Sequence, residues 1–331
     1  MASSRVVLVT GGAGYIGSML VPMMLARGWR VRVVDALMHG GEPLLCCWTH
    51  PRFEFIRGDL RDPAIVARAL QGVGSVVHLA AIVGDPACAR DRDLAWSVNV
   101  DASLALVEAC HDAGVDRFVF ASTCSNYGRT RTPDACVNET SELRPLSLYA
   151  ETKVLIERAL LENQVAGLHP AVTVLRFATV YGVAPRMRFD LTVNEFTKAI
   201  LREGRLVVYG EQYWRPYIHV VDAARAILRV LRADPDLVRG TVFNAGATRE
   251  NYRKRQIVEL VRALAPDASV EYRPMDDDPR SYRVSFHKIS HRLGFRITRT
   301  VPDGIAEVAR LLAPGILADP DRPLYRNTPA A

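Results

Sequence analysis

The chain lacks any uninterrupted apolar run of the roughly 18 uncharged residues that a membrane-crossing helix needs. Nor does Met1–Arg5 offer a basic leader, a long apolar core and a small-residue cleavage site. These residues run straight into an apolar strand-like stretch, so no secretory signal is expected and the cytoplasm is the expected compartment. No two cysteines stand as CxxC, and none has a histidine at metal-ligand spacing. Cys46, Cys47, Cys88, Cys110, Cys124 and Cys136 therefore read as free thiols in a reducing compartment, with no disulfide framework and no metal. No basic run of five or more residues occurs, although the formal net charge is +6. Scattered arginines argue against a nucleic-acid groove and for a locally positive cleft that holds small phosphate-bearing molecules. No internal repeat is evident. At 49% hydrophobic and 24% charged over 331 residues, the composition is globular, enough for one large domain or two closely joined ones.

What is present is an alternation of short apolar runs with helical patterns. Val6–Val9, Val31–Val34, Phe53–Ile56, Val76–Leu79, Phe118–Ala121 and Val172–Leu175 read as strands. Tyr15–Ala26, Leu94–Ala113 and Tyr149–Val165 read as helices between them. Strands alternating with helices predict an α/β fold, a doubly wound (Rossmann) parallel sheet covered on both faces. After Phe177 the rhythm breaks. Helices are expected at Leu191–Glu203, Val221–Arg232 and Arg255–Leu264, and short strands at Leu206–Tyr209, Thr241–Asn244 and Val270–Tyr272. This predicts a smaller, less regular α/β lobe at the end of the sheet, and a loose tail from Pro314 onward.

The strongest local signal is Thr10-Gly11-Gly12-Ala13-Gly14-Tyr15-Ile16-Gly17, which follows a strand and opens a helix. A pyrophosphate must approach the backbone closely, and a Cβ would obstruct it. Gly12 and Gly14 are expected to remove that obstruction, and Gly17 to let the helix pack near the strand. The helix N-terminus then offers free N–H groups and a positive dipole end. Asp35 ends the second strand about 20 residues later, the spacing at which a carboxylate accepts hydrogen bonds from a ribose and repels a 2′-phosphate. This predicts NAD rather than NADP. Arg32, inside the strand, is a weak argument for the opposite.

Tyr149 and Lys153 are four residues apart in a helical pattern and share one helix face. A phenol with a pKa near 10 is a poor base. A neighbouring ammonium and a positively charged nicotinamide are expected to bring that pKa down. Ser122-Thr123-Cys124-Ser125-Asn126-Tyr127-Gly128 places hydroxyls at the carboxyl end of the fifth strand, where open α/β sheets bind ligands. A Thr123 hydroxyl there can hydrogen-bond a substrate alkoxide and pass its proton toward Tyr149.

With these motifs in this order, the sequence resembles the extended short-chain dehydrogenase/reductase family, the NAD-dependent nucleotide-sugar epimerases and dehydratases. The resemblance covers nearly the whole chain. It includes the glycine loop, Asp59-Leu60, His78-Leu79-Ala80-Ala81, Asn99, Ser122 to Gly128, Tyr149 to Lys153, Arg176 to Gly182 and Arg215 to Asp222. It implies NAD held by Gly11, Gly14, Tyr15, Ile16, Gly17 and Asp35, with Asp59 and Leu60 flanking the adenine. Leu79, Ala80, Ala81, Asn99, Tyr149 and Lys153 complete that set. Residues 1–180 would be the NAD-binding domain, with returning segments near 210–250, and 181–331 mainly the substrate lobe. There Asn194 and Arg215 would face the diphosphate of a nucleotide sugar, with Arg280 of Asp278-Pro279-Arg280-Ser281-Tyr282 beside them and Ser125 at the sugar. A homodimer through the helices near Leu94–Ala113 and Tyr149–Val165 is implied by the same analogy, with no nucleic-acid or membrane partner.

The resemblance also narrows the reaction. Tyr149 would remove a proton from a sugar hydroxyl while hydride passes to NAD. Similar 4,6-dehydratases carry an Asp-Glu pair just after the threonine. Here Cys124 and Ser125 stand there, so dehydration lacks its usual acid and base, and a decarboxylase lacks the glutamate common at Ser125. Cys124 remains a candidate acid/base, although an inert buried thiol is the commoner fate. The expected activity is a 4-epimerase acting through a transient 4-keto sugar. The alternatives are an NAD(P)-dependent nucleotide-sugar ketoreductase or dehydrogenase, a 4,6-dehydratase in deoxysugar synthesis and, more remotely, a dinucleotide-binding regulator without chemistry.

Overall fold

The computed structural model describes residues 5–130, 135–165, 170–274 and 280–327. Asp278 and Pro279 of the quoted arginine motif, and the last four residues of the tail, lie outside them. The strands are β1 (Val6–Thr10), β2 (Val31–Asp35), β3 (Phe53–Arg57), β4 (Val73–His78), β5 (Arg117–Thr123), β6 (Cys136–Val137) and β7 (Ala171–Phe177). They continue with β8 (Thr179–Tyr181), β9 (Arg205–Tyr209), β10 (Trp214–His219), β11 (Thr241–Ala245), β12 (Asn251–Arg253), β13 (Ser269–Arg273) and β14 (Arg283–Val284). Seven form one parallel sheet in the order β11-β7-β5-β4-β1-β2-β3. The chain builds outward from β1 to β3, then crosses back to place β4 on the other side of β1. The carboxyl ends of β1 and β4 thus flank the topological switch point, where such sheets take ligands.

Alternation along each strand feeds two cores. Val7, Val9, Val77 and Val119 point to one face, against Leu20, Val21 and Met24 of helix Tyr15–Leu25 and Ala223 and Ile227 of helix Val220–Arg232. Leu8, Val76, Phe118 and Phe120 point to the other, against Leu106 and Cys110 of helix Ala102–Asp112 and Ile156 and Leu160 of helix Leu148–Val165. Runs of buried β-branched residues on both faces are what a doubly covered parallel sheet requires.

The predicted helix Leu94–Ala113 is interrupted. Arg92–Trp96 and Ala102–Asp112 are α-helical, and Ser97–Asp101 between them makes one wider π turn. Asn99 lies in that turn. Its Oδ1 accepts from the Ile82 amide (2.8 Å) and its Nδ2 donates to the Ile82 carbonyl (3.0 Å), tying the turn to the loop after β4.

The smaller lobe holds a three-stranded sheet, β12-β10-β8, and the pairs β9–β13 and β6–β14. Its core joins Tyr181, Phe196, Ile200, Tyr217, Ile257 and Ile305. β11 returns to the edge of the main sheet. Helix Val301–Leu312, absent from the elements expected from sequence, packs its Val301 and Ile305 into this lobe's core and seats its Gly304 against Tyr181, 2.3 Å from where a Cβ would stand. The tail is not loose as far as Asn327. The Tyr325 carbonyl accepts from the Phe189 amide (2.8 Å), and Asn327 bonds Arg186 (2.7 Å), Asp190 (3.0 Å) and the Val83 carbonyl (3.0 Å). Its polar composition misled because polar side chains here find polar partners rather than water.

Beneath the carboxyl end of the sheet lies a buried ion pair. Arg176 on β7 donates to Glu157 through Nη2 (2.6 Å) and Nε (3.0 Å), and Glu157 also accepts from Asn126 (2.8 Å) and from the Ser122 hydroxyl. Arg176 Nη1 continues to Tyr127 Oη (3.0 Å), which donates to Asn244 on β11 (2.7 Å). Removing one member of a buried pair strands the other without solvent. Glu157→Ala is therefore expected to lower stability by about 3–5 kcal/mol in urea denaturation, and Glu157→Leu combined with Arg176→Met to recover most of it. A single substitution as mild as a surface change would show the pair to be solvated.

Candidate active site

The turn between β1 and its helix brings backbone donors to the switch point. Gly11 has φ +71°, and a Cβ on it would stand 2.7 Å from the Ala80 amide, so this position excludes side chains on two grounds. Gly17 lies over the turn, where a Cβ would meet Gly11 O at 2.4 Å, as expected for close helix packing. Gly14 caps the helix, and the space beside it holds only Gly11 O at 3.1 Å. Gly12 differs from expectation. Its absent Cβ is directed at the Val33 side chain (2.6 Å), so Gly12 serves packing against β2 rather than approach to a phosphate. No side chain caps this helix and no acid occupies its first turn. Its first N–H groups thus suit an anion, with Ile16 and the Tyr15 backbone at the same turn.

Asp35 closes β2 beside the turn. Its Oδ2 accepts from the Ala13 amide (2.9 Å) and its Oδ1 from the Leu37 amide (2.8 Å). Each oxygen keeps a second lone pair for a ribose hydroxyl. Burial raises the carboxyl's pKa, and the two amides act against that rise. Arg32 is engaged elsewhere, with Glu54 (2.7 Å) and with the carbonyls of Ala69 (2.8 Å) and Gln71 (2.7 Å), and so offers nothing to a 2′-phosphate. Past β3, Gly58 donates to the Asp35 carbonyl (3.1 Å), which sets Asp59 and the buried Leu60 next to it. The Asp59 carboxylate is held by Arg61 (2.6 Å), which keeps its pKa below the usual range. The donor set fits a dinucleotide: a bare helix N-terminus at one end and a carboxylate with spare lone pairs at the other.

The end of β4 forms the opposite wall. Leu79 donates to Thr10 O (3.1 Å) and Ala80 to Thr10 Oγ1 (3.3 Å), which places Leu79, Ala80 and Ala81 over the glycine turn. His78 is buried between Thr10 Oγ1 (2.7 Å) and Ser103 Oγ (2.9 Å). Burial first, and then the Lys153 charge, push its pKa down to about 3, so it is a neutral strut. Asn99, expected at the cofactor, uses its amide on Ile82 and on Thr152 Oγ1 (3.4 Å). It shapes the wall rather than presenting a free amide to it.

Helix Leu148–Val165 carries Tyr149, Lys153 and Glu157 at successive four-residue steps on one face. Lys153 Nζ lies 4.7 Å from the Phe120 ring centroid and 6.0 Å from that of Tyr149. Burial pushes the Lys153 pKa down to about 8, with Cys88 and Glu157 acting against that shift. The phenol of Tyr149 departs from expectation, because its pKa is raised, not lowered. Burial is the main cause, with Cys88 and Asp85 adding to it and Arg188 acting against it. A buried ammonium that is itself only partly favoured does not ionise a buried phenol unaided.

Three neighbouring positions on the turn after β5 behave differently. Thr123 Oγ1 accepts from the Ser125 amide (3.1 Å), leaving its hydroxyl proton to donate elsewhere. Ser125 Oγ accepts from the Tyr282 hydroxyl (3.4 Å) and so meets the smaller lobe. Cys124 does not join them. Its thiol donates to the Arg176 carbonyl (3.3 Å) within the main core, and burial holds it protonated, well above the usual thiol range. The proposed acid/base role for Cys124 is set aside on that ground.

From the smaller lobe, Arg215 and Arg280 reach one place. Arg215 donates to the Arg280 carbonyl, and its guanidinium lies 5.4 Å from the Tyr282 ring centroid. Arg280 pairs with Asp85 of the loop after β4, so the two lobes touch across the cleft. Asn194 is not a free ligand. Wholly buried, it accepts from the Gly182 amide (2.9 Å) and donates to Arg188 O (2.9 Å) and Tyr15 Oη (3.1 Å). Tyr15 Oη in turn donates to Gly182 O (2.6 Å), so its side chain joins the glycine-turn helix to the smaller lobe.

Sequence reasoning missed Tyr282, although it was quoted within a motif, and missed Glu157, whose i+8 spacing from Tyr149 was the available signal. It also missed Arg186 and Arg188. Arg188 is held by Asp190 (2.7 Å), and Arg186 Nε, buried, has no partner among the described residues. Both guanidiniums lie near His39 of the loop after β2. Burial first, then these two charges, push His39 down to about 4. The signal was the pair of arginines two residues apart after Gly182.

Comparisons with known proteins agree with this geometry. The model of the NAD dependent epimerase/dehydratase family matches residues 7–246. A dTDP-glucose 4,6-dehydratase of Streptomyces griseus is 33% identical over 309 residues, covering 90% of this chain and 91% of the relative. The crystal structure of a Thermus thermophilus UDP-glucose 4-epimerase in complex with NAD superposes with a TM-score of 0.79 at 30% identity. It covers 92% of this chain and 98% of its own. MoeE5 in complex with UDP-glucuronic acid and NAD gives 0.80 at 30% identity, covering 94% and 99%.

The buried ammonium predicts a pH signature. With its pKa near 8 instead of 10.5, Lys153 costs the cofactor-free fold about 3 kcal/mol below pH 8. Between pH 8 and 10.5 the unfolded chain keeps a proton that the folded chain has released, so stability rises with pH and the cost fades. Lys153→Met should therefore be more stable than the native chain at about pH 7 in urea denaturation, with the gap closing by about pH 10. A gap that does not change with pH would refute the burial argument.

Proposed function

This chain belongs to the NAD-dependent epimerase/dehydratase family, and we propose that it is a nucleotide-sugar 4-epimerase. The carrying observation is what surrounds Tyr149. A phenol and a buried ammonium share one helix face, the ammonium 6.0 Å from the phenol ring centroid, and a threonine hydroxyl ends β5, while the two positions after the threonine offer a core-facing thiol and a serine. Such a set can move one proton on and off a sugar hydroxyl. It lacks at that turn the acid pair that an elimination would use.

In this reading the glycine turn at Gly11, Gly14 and Gly17, with the backbones of Tyr15 and Ile16, seats the pyrophosphate of NAD. Asp35 takes the adenosine ribose, and Asp59 and Leu60 flank the adenine. Leu79, Ala80 and Ala81 line the groove, and Lys153 holds the second ribose. NAD, when bound, supplies the hydride acceptor and donor. Tyr149 Oη takes the proton of the sugar C4 hydroxyl and later returns it to the same oxygen. Lys153 and the added positive charge beside it stabilise the phenolate that burial alone disfavours. Thr123 donates its hydroxyl proton to the sugar oxygen and orients it. Arg215 and Arg280 hold the diphosphate through charge-assisted bonds. Ser125 and Tyr282 border the sugar. A homodimer through the helices at Ala102–Asp112 and Leu148–Val165, working in the cytoplasm, completes the proposal. Among the described residues, no helix is long and apolar enough to cross a membrane.

The purified protein should release stoichiometric NAD on denaturation and interconvert UDP-glucose and UDP-galactose without added cofactor. An empty protein that turns over only with supplied dinucleotide would favour a reductase or dehydrogenase. Tyr149→Phe should lower kcat at least about 10³-fold, in the range expected for losing a general acid/base, while retaining NAD. Near-native turnover in that variant would remove Tyr149 from the mechanism.

A further inference from the structure

Asp85 is one of the groups that raise the pKa of the Tyr149 phenol, and its helix packs against the helix that carries Tyr149. It opens the short helix Asp85–Arg90, just after Gly84, whose φ of +101° turns the chain at the end of the β4 loop. Cys88 lies one helical turn further on, buried, with its thiol donating to the Ile82 carbonyl (3.3 Å). From the other lobe come Arg280, paired with Asp85, and Tyr282 two residues beyond. Asp85 and Arg280 are each about a quarter exposed, at 29% and 24%. The pair is thus open to a ligand entering between the lobes. Asp85 Oδ1 accepts no hydrogen bond among the described residues, and its field is one of those that disfavour ionisation of Tyr149.

We propose that Asp85 selects the sugar: its carboxylate accepts hydrogen bonds from hydroxyls of a neutral hexose and turns away a hexuronate. The assignment rests on the nucleotide-sugar reading above and deepens it. A diphosphate entering the cleft is a stronger partner for Arg280 than the Asp85 carboxylate, because it offers more charge and more acceptor oxygens. Once Arg280 turns to the diphosphate, Asp85 is left as an unpaired anion beside the ring that Tyr149 handles. Sugar hydroxyls are donors and satisfy it. A C6 carboxylate brings a second negative charge and no donor to a partly desolvated place, where like charges repel strongly. Discrimination of this kind acts through the repulsive element as much as through the attractive one.

The test uses the NAD-loaded protein and calorimetric affinities for UDP, UDP-glucose and UDP-glucuronic acid, in the native chain and in Asp85→Asn. The native chain is expected to bind UDP-glucose at least about ten-fold more tightly than UDP-glucuronic acid. Asp85→Asn should narrow that ratio to within about three-fold, chiefly by gaining affinity for the uronate, with UDP bound at least as tightly as by the native chain because Arg280 no longer has to leave an anionic partner. UDP bound by both chains with an unchanged sugar ratio overturns this assignment alone. A native preference for the uronate does the same. Failure of all three ligands to bind overturns both this assignment and the nucleotide-sugar reading beneath it. None of these readouts needs turnover, so loss of epimerase activity by itself leaves the test intact.

Discussion

The ion pair between Glu157 and Arg176 is the constraint on which the placement of Tyr149 and Lys153 depends. Helix Leu148–Val165 lies on the sheet face lined by Phe118 and Phe120, and apolar contact alone would let it slide or roll. A carboxylate buried in such a face must keep its partner, since an unpaired buried ion is strongly unfavourable. Arg176 belongs to β7 and Ser122 to β5, so two neighbouring strands fix the middle of the helix at once. Lys153 and Tyr149 then follow by helical geometry, one and two steps nearer the carboxyl edge. The position of the phenol is inherited from a salt bridge two turns away.

The sequence conveyed element order far better than side-chain destination. Every strand read from apolar runs before Phe177 appears within a few residues of its expected bounds, because buried β-branched runs between glycines have few other solutions. The same pattern says nothing of which neighbour a given residue meets. Gly12 was read as clearance for a ligand and proves to be clearance for Val33. Asn194 and Asn99, chosen as polar residues in matched stretches, spend their amides on backbone groups that would otherwise be buried without partners. Cys124 and Thr123 are adjacent in sequence, yet the thiol bonds the Arg176 carbonyl in the core while the threonine hydroxyl accepts the Ser125 amide. Helix Val301–Leu312 was legible, with Val301, Ile305, Val308 and Leu312 at helical spacing behind a Thr300–Asp303 capping box, but Pro302 and Gly304 in its first turn give it the look of a loop.

Positive charge in this protein is mostly structural. Arg32 stitches β2 to β3 and to the end of helix Pro63–Leu70, Arg176 anchors helix Leu148–Val165, and Arg225 holds Asp222. Arg186, Arg188, Arg215 and Arg280 remain around the cleft, all drawn from the chain after Gly182. The surplus of +6 therefore describes the molecule poorly until its arginines are sorted by what they touch. In the proposed reading two of them, Arg215 and Arg280, and one uncapped helix are what attract phosphates.

A single phenol hydroxyl, that of Tyr15, belongs to both halves of the molecule. It stems from the turn suited to the pyrophosphate and ends on Gly182 and Asn194 in the lobe suited to the sugar nucleotide. Any rotation of that lobe relative to the sheet must stretch this buried contact or carry the turn with it. Two occupants seated at its opposite ends would then not bind independently, and thermodynamic reciprocity requires each to alter the other's affinity by the same factor. The enzyme's grip on its dinucleotide thus becomes a property of how its lobes are set, as well as of the groove itself.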